Sequence, residues 1–272
     1  MDQELKEIFR NSSTSYYYSS LFFPKEVKKD VFRFYAYVRS ADDFVDDKPQ
    51  EPEKLENFRG KTFDNWNSGK SGDKVVDSFL QVARENDFNK EWVEAFLDSM
   101  AMDLEKTEYE TMDETLDYIH GSAEVIGLMM TKILDLDEDC EQSALMLGRA
   151  MQYCNFLRDV EEDYELGRRY LPKDEMEKYN LRTLEPGKVD KKKFKVFMQE
   201  QVDQYFEWQD EAETGFSYIP YRERVPVILS SRLYKWTARQ IYSDPSVVYR
   251  RQVRPSKTRI AIELSKSLGG IK

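Results

Sequence analysis

The sequence predicts an all-α fold in a single domain, a helical bundle. Glycine and proline are sparse, at 11 and 9 of 272 residues. Runs in which β-branched residues alternate with polar ones are rare. Long stretches instead carry apolar residues at i, i+3, i+4 and i+7, the pattern of amphipathic helices. A chain of this length buries a sizeable core, and no linker is long enough to divide residues 1–272 into separate units.

Taken in order, the periodicity predicts helices over 25–47, 52–66, 73–86, 90–107, 112–135, 138–167, 190–213, 225–243 and 256–268. Lys48-Pro49 ends the first, because proline disfavours a helical residue before it and donates no backbone hydrogen bond. Asn67-Ser68-Gly69, Glu185-Pro186-Gly187 and Asp244-Pro245 are breakers between later helices. Thr111-Met112-Asp113-Glu114 reads as a capping box opening the helix at 112. No internal repeat or low-complexity segment is present.

Composition excludes several function classes. The net charge of -11 leaves no excess of Lys and Arg for a nucleic-acid backbone, so no nucleic-acid partner is expected. A single histidine, His120, rules out a zinc site built on two or three histidines. No glycine-rich phosphate loop of the Walker or dinucleotide type occurs. Cys140 and Cys154 form neither a C-x-x-C motif nor a spaced framework, which points to a reducing, cytoplasmic setting. Residues 1–6 lack the basic-then-apolar order of a signal peptide. Apolar stretches such as Val125 to Met130 fall far short of the roughly 20 residues a bilayer span needs. The expectation is a soluble protein, or one in peripheral contact with membrane; the sequence is silent on oligomeric state.

Carboxylates must then carry any chemistry, and two runs stand out. Asp42-Asp43-Phe44-Val45-Asp46-Asp47 and Asp159-Val160-Glu161-Glu162-Asp163 each repeat an aspartate at i and i+4. That spacing stacks both acids on one helix face. Tyr35, Arg39, Asp42 and Asp46 together fall within roughly 60° of one face, with Asp43 flanking them. Gln152, Asn155, Asp159 and Asp163 form a second stripe, with Arg158 beside it. Gly167-Arg168-Arg169-Tyr170-Leu171-Pro172 follows, and arginine grips phosphate oxygens bidentately. A solvated acidic face explains either run alone; two such stripes facing each other would hold Mg²⁺, a hard cation suited to carboxylate and phosphate oxygens. Aromatics make up 14% of the chain, and most must be core. Tyr118 and Tyr234 lie on helix faces that point inward, where core packing is the simpler role, although a π-face also stabilises a cation.

At these residues the chain resembles the squalene/phytoene synthase family, over Ser13 to about Leu264. Four ordered segments carry the resemblance: Ser13-Thr14-Ser15-Tyr16-Tyr17-Tyr18 with Phe22-Phe23-Pro24; Phe34 to Arg39 running into Asp42–Asp46; Gly121-Ser122-Ala123-Glu124-Val125-Ile126-Gly127; and Gln152 to Asp163, continuing to Tyr170-Leu171-Pro172. The resemblance implies an isoprenoid-synthase bundle with a central cavity between two acidic faces. It implies Mg²⁺ at Asp42, Asp46, Asn155, Asp159 and Asp163, with Asp43 as helper. It further implies substrate contacts from Ser13, Ser15, Arg39, Gln152, Arg158 and Arg168, and tyrosines near the diphosphate or cation at Tyr35, Tyr118 and Tyr234. Arg251, a further implied substrate contact, is aligned by its distance from Tyr234 more than by motif. Glu124 stands where the family often has a small residue, so its orientation is open.

The implied reaction joins two isoprenyl diphosphates head to head through a cyclopropyl diphosphate. The segment from Gly167 to Met176 is closer to the phytoene-synthase version, which favours two geranylgeranyl diphosphates giving phytoene without NADPH. The alternatives are two farnesyl diphosphates giving squalene, with NADPH, or dehydrosqualene. A non-catalytic assembly factor on the same fold would show degraded acidic motifs, whereas both are intact here. A chain-elongating prenyltransferase or terpene cyclase fits the Tyr35–Arg39 stripe less well.

Overall fold

A computed structural model describes Leu5, Glu7, Ile8 and residues 14–269 of the chain. A helix not expected from the periodicity, α1 (Thr14–Ser20), precedes α2 (Lys25–Asp46), α3 (Pro52–Asp64), α4 (Lys74–Glu85) and α5 (Lys90–Glu105). Asp73 caps α4 by accepting from the backbone N–H of Val75 and Val76, and Asn89 caps α5 through Glu91 N–H. At seven residues α1 is too short for its period to register in a sequence window.

The stretch expected as one helix over 112–135 is α6 (Met112–Ile119), a π turn at His120–Glu124, and α7 (Val125–Ile133). Thr111 caps α6 through Glu114 N–H at 3.3 Å, while the Glu114 carboxylate accepts from Glu110 N–H at 3.0 Å. The capping box therefore closes one residue earlier than its usual form. The stretch expected over 138–167 also divides. A short 3₁₀ turn leads into α8 (Glu141–Arg158), the backbone leaves helical geometry at Asp159 (φ -100°, ψ 20°), and α9 (Val160–Leu166) resumes to end on Gly167 at φ 82°. The remaining helices are α10 (Lys173–Lys178), also not expected from the sequence, α11 (Lys191–Glu213), α12 (Tyr221–Ser243) and α13 (Lys257–Gly269). No strand occurs among the described residues; Glu108 and Arg169 form one isolated bridge.

Two apolar clusters flank the centre. One gathers Phe32, Tyr37, Phe79, Leu80 and Phe96 from α2, α4 and α5, with the Tyr37 ring stacked on Phe79 at 3.7 Å. The other gathers Tyr153, Leu157, Phe194, Phe197 and Tyr205 from α8 and α11. Most aromatics are thus core. The central helix α7 and the π turn before it meet α8 backbone to backbone: a Cβ on Gly127 would lie 2.3 Å from the Ala144 carbonyl oxygen, and one on Gly148 2.4 Å from that of Ala123 in the turn. Only glycine permits that approach. Between the clusters lies a cavity of about 640 Å³, lined by residues of both. No helix among the described residues is long and apolar enough to cross a membrane. Cys140 and Cys154 are free and buried.

Candidate active site

Asp42 and Asp46 line one wall of the cavity from the last turns of α2, and Asp159 and Asp163 line the other from the α8–α9 junction. The two runs, far apart in sequence, share one chamber. Tyr35 and Arg39 lie on the same wall as Asp42; Gln152, Asn155 and Arg158 lie on the opposite one. Below them the lining turns apolar, with Phe34, Phe96, Met130, Leu147 and Ile219 among its residues.

Arg168 joins the walls. Its Nη1 donates to Asp46 Oδ1 at 2.7 Å and its Nη2 to the Val45 carbonyl at 2.6 Å. The segment carrying it is pinned by backbone bonds from Arg169 N–H to Thr107 O at 2.8 Å and from Lys173 N–H to Tyr109 O at 3.1 Å. Lys48 Nζ donates to Glu165 O at 2.7 Å, tying the end of α2 to the end of α9.

Each remaining acid of the pairs, Asp163 apart, is met by an arginine. Arg39 bridges Asp42 at 2.9 Å and Asp43 at 2.5 Å. Arg158 donates through Nε to Asp159 Oδ1 at 2.7 Å and through Nη2 to the other oxygen. Burial pushes the Asp42 carboxyl up to about 7, with the charge of Asp46 adding to it and Arg39 opposing. Burial also raises Asp163 well above the carboxylate range, reinforced by Asp159 and Asp46. Such acids crowd one another in a dry chamber and are relieved by added positive charge.

Among the described residues, no three acidic, histidine or cysteine side chains already converge closely enough to hold a cation. The arginine contacts give the reason, since Asp42, Asp46 and Asp159 are each turned toward a guanidinium. The donor set nevertheless suits Mg²⁺. It is all oxygen, it carries repelling carboxylates, and Asn155 Oδ1 is buried in the wall with no hydrogen-bond partner. Asn155 Nδ2 is engaged with Gln152 Oε1 at 3.1 Å, leaving that carbonyl oxygen as an acceptor in want of a donor or a cation.

The tyrosines divide into two groups. Tyr234 and Tyr35 flank Tyr16, at ring separations of 5.7 and 6.2 Å. Burial raises the Tyr234 hydroxyl, while Arg158 and hydrogen bonds with Tyr16 and Asn155 pull it down. Tyr118 belongs to the other group: its hydroxyl donates to Asp103 Oδ2 at 2.6 Å, and Tyr170 donates to Asp103 Oδ1 at 2.7 Å. Burial pushes Asp103 up to about 6, against Arg168 and both tyrosine bonds.

Three expectations are corrected. Asp43 does not line the cavity, because its one-residue offset turns it onto Arg39 at the surface. Arg251 is exposed and outside the lining, whereas Arg254, three residues on, reaches it. The stripe from Gln152 to Asp163 is not one continuous helix, since the backbone breaks at Asp159. Ser13 and the side chain of Ser15 lie outside the described residues. Glu124 turns away from the cavity: it binds Arg149 Nε at 2.6 Å and His120 Nδ1 at 2.9 Å. The sequence reading missed Asp103, Tyr16, Tyr170 and Arg254. For Asp103 a signal existed, because it falls on the apolar stripe Val93, Phe96, Met100 of α5, where an acid is costly without partners.

Two acidic walls, an arginine-rich rim and an apolar chamber beneath them define an all-α enzyme of the isoprenoid-synthase type. The model of the squalene/phytoene synthase family matches residues 9–259. The chain belongs to that family of prenyltransferases. It is 27% identical over 265 residues to a 15-cis-phytoene synthase of Paracoccus sp., covering 92% of this chain and 85% of that one. It is 34% identical over 183 residues to a phytoene synthase of Thermus thermophilus, covering 62% and 58%. A ligand-bound crystal structure of a dehydrosqualene synthase superposes with a TM-score of 0.89 at 23% identity, covering 98% of this chain and 95% of that one.

Proposed function

We propose that the chain joins two geranylgeranyl diphosphates head to head, giving phytoene through a cyclopropyl diphosphate, with Mg²⁺ and without NADPH. The observation that carries this reading is the pair of acidic walls facing each other across one chamber whose floor is apolar. The curated relatives named as phytoene synthases support the choice of the longer substrate.

Asp42, Asp46, Asn155, Asp159 and Asp163 would hold Mg²⁺, which supplies Lewis-acid neutralisation of diphosphate charge when bound. Arg39, Arg158 and Arg168 offer guanidinium forks to the diphosphate oxygens and stabilise them as the leaving group departs. The apolar floor excludes water, so the allylic cation left behind is attacked by the second substrate's double bond rather than hydrolysed. Tyr16, Tyr35 and Tyr234, whose rings lie against one another, present π-faces beside that cation. Proton loss closes the cyclopropyl ring, and a second ionisation and rearrangement gives the linear product.

Purified protein should be supplied separately with geranylgeranyl and farnesyl diphosphate, with and without NADPH, and the products extracted and weighed by mass spectrometry. Phytoene from the longer donor, independent of NADPH, is the expected result. A thirty-carbon product alone would replace this reading with squalene or dehydrosqualene synthesis.

A further inference from the structure

Asp103 lies in the last turn of α5, where a backbone carbonyl has no partner left within the helix. That carbonyl accepts instead from Gln50 Nε2 and from Arg168 Nη2, each at 3.2 Å. Arg168 in turn grips Asp46. Asp103 is thereby fixed beside the acidic rim, 5% exposed, and it lines the chamber together with Tyr118 and Tyr170.

Its carboxylate decides where the protons of two phenols point. Tyr118 commits its hydroxyl hydrogen to Oδ2 at 2.6 Å and Tyr170 commits its own to Oδ1 at 2.7 Å. Arg168 Nη1 donates to the Tyr170 oxygen at 3.3 Å, whereas among the described residues nothing donates to the Tyr118 oxygen. The two phenols therefore differ: Tyr118 keeps free lone pairs at the chamber wall. Its ring is wedged between Tyr109 and Tyr170, at ring separations of 5.6 and 5.1 Å.

A phenol by itself is a poor base. Burial, with the charge of Asp103 adding to it, raises the Tyr118 hydroxyl well above its ordinary range, so it does not ionise unaided. Tyr118 can take up a proton only if its own leaves in the same step, and the group holding that hydrogen is Asp103. Burial pushes the Asp103 carboxyl up to about 6. It is ionised at neutral pH, yet it binds a proton more firmly than an ordinary aspartate.

We propose that Asp103 is a positioning residue for closure of the cyclopropyl ring: it aims the Tyr118 lone pairs into the chamber and receives the Tyr118 proton as Tyr118 takes one from substrate. The step rests on the head-to-head reaction proposed above. The double bond of the second substrate attacks the carbon that carried the diphosphate of the first, leaving a cation at the far end of that bond. A C–H bond of the attacked carbon then breaks, and its electron pair closes the ring onto the cationic carbon. The proton passes to the Tyr118 oxygen, and the Tyr118 hydrogen passes to Asp103 Oδ2. The phenol ends as it began, and the carboxylate becomes a neutral acid.

Asp103→Asn keeps the shape of the side chain and cannot receive the proton. Its kcat should fall by about a hundredfold or more, with KM within about threefold of the native value. With substrate deuterated at the carbon bearing the diphosphate, the isotope effect on kcat should rise above that of the native chain, because the hindered proton transfer becomes rate-limiting. Tyr118→Phe should lose as much and show the same rise. The double variant should lose no more than either single one, since both side chains serve one transfer. Circular dichroism checks folding, and Tyr118→Phe carries the isotope test should Asp103→Asn not fold. Near-native kcat in either folded variant, an unchanged isotope effect, or additive losses in the double variant would each overturn the proposal while leaving the overall reaction in place. A native chain that forms no head-to-head product from any prenyl diphosphate would overturn the reaction itself, and this step with it.

Discussion

Arg168 reaches from the exit of the second acidic segment to Asp46 on the first, 122 positions away, at 2.7 Å, and its second nitrogen caps the Val45 carbonyl. Two nitrogens held in one planar fork reach the two acceptors separately, where a lysine ammonium has a single nitrogen to share between them. The same guanidinium lies beside Tyr170 and hence beside Asp103. One side chain thus sets the separation of the two walls and supplies positive charge to the rim.

Arg168→Lys should therefore lower kcat/KM by about a hundredfold, with Arg168→Gln lower still. Steady-state kinetics on folded variants checks this. Equal activity of the lysine variant would remove the fork from the account.

Asp46→Asn or Asp163→Asn keeps the shape of the side chain and removes its charge. Each should reduce turnover by about a thousandfold or more while the helical circular dichroism stays unchanged. Full turnover in either variant would argue against ionisation assisted by a metal at these walls.

Asp42, pushed up to about 7, and Asp103, at about 6, keep their protons in the folded chain at pH values where the unfolded chain has lost them. Their contribution to stability is complete below the usual carboxylate pKa and disappears as pH rises through 6 to 7. Metal-free protein should lose melting temperature between about pH 5 and about pH 8, and Asp42→Asn should flatten that decline. Thermal scans across pH in chelator provide the measurement, and a rising or flat native curve would contradict the crowding of acids described above.

Glu124 faces Arg149 and His120 rather than the cavity, with only 5% of its side chain exposed. Glu124→Ala strands the Arg149 guanidinium, which also stacks over Trp208 at 5.6 Å. The cost should be about 2 kcal/mol, a fall of about 5 °C in melting temperature, with kcat little changed. A large loss of kcat at unchanged stability would place this acid in the chemistry instead.

What the sequence by itself determined is whatever repeats along one helix. The 3.6-residue period gave the helices, and the i, i+4 aspartates with Tyr35, Arg39 and Asn155 announced faces able to work together, because neighbours on a helix face are fixed by local geometry. Tertiary structure decided everything that depends on two segments meeting. It set Arg254 rather than Arg251 at the chamber, sent Glu124 to Arg149, and enlisted Asp103 as the acceptor for two tyrosines. It also broke the second acidic helix at Asp159 and bent the one through His120–Glu124. These outcomes rest on close backbone approach at Gly127 and Gly148 and on which guanidinium lies within reach. Such contacts join residues tens to more than a hundred positions apart, and the period of a single helix carries no record of them.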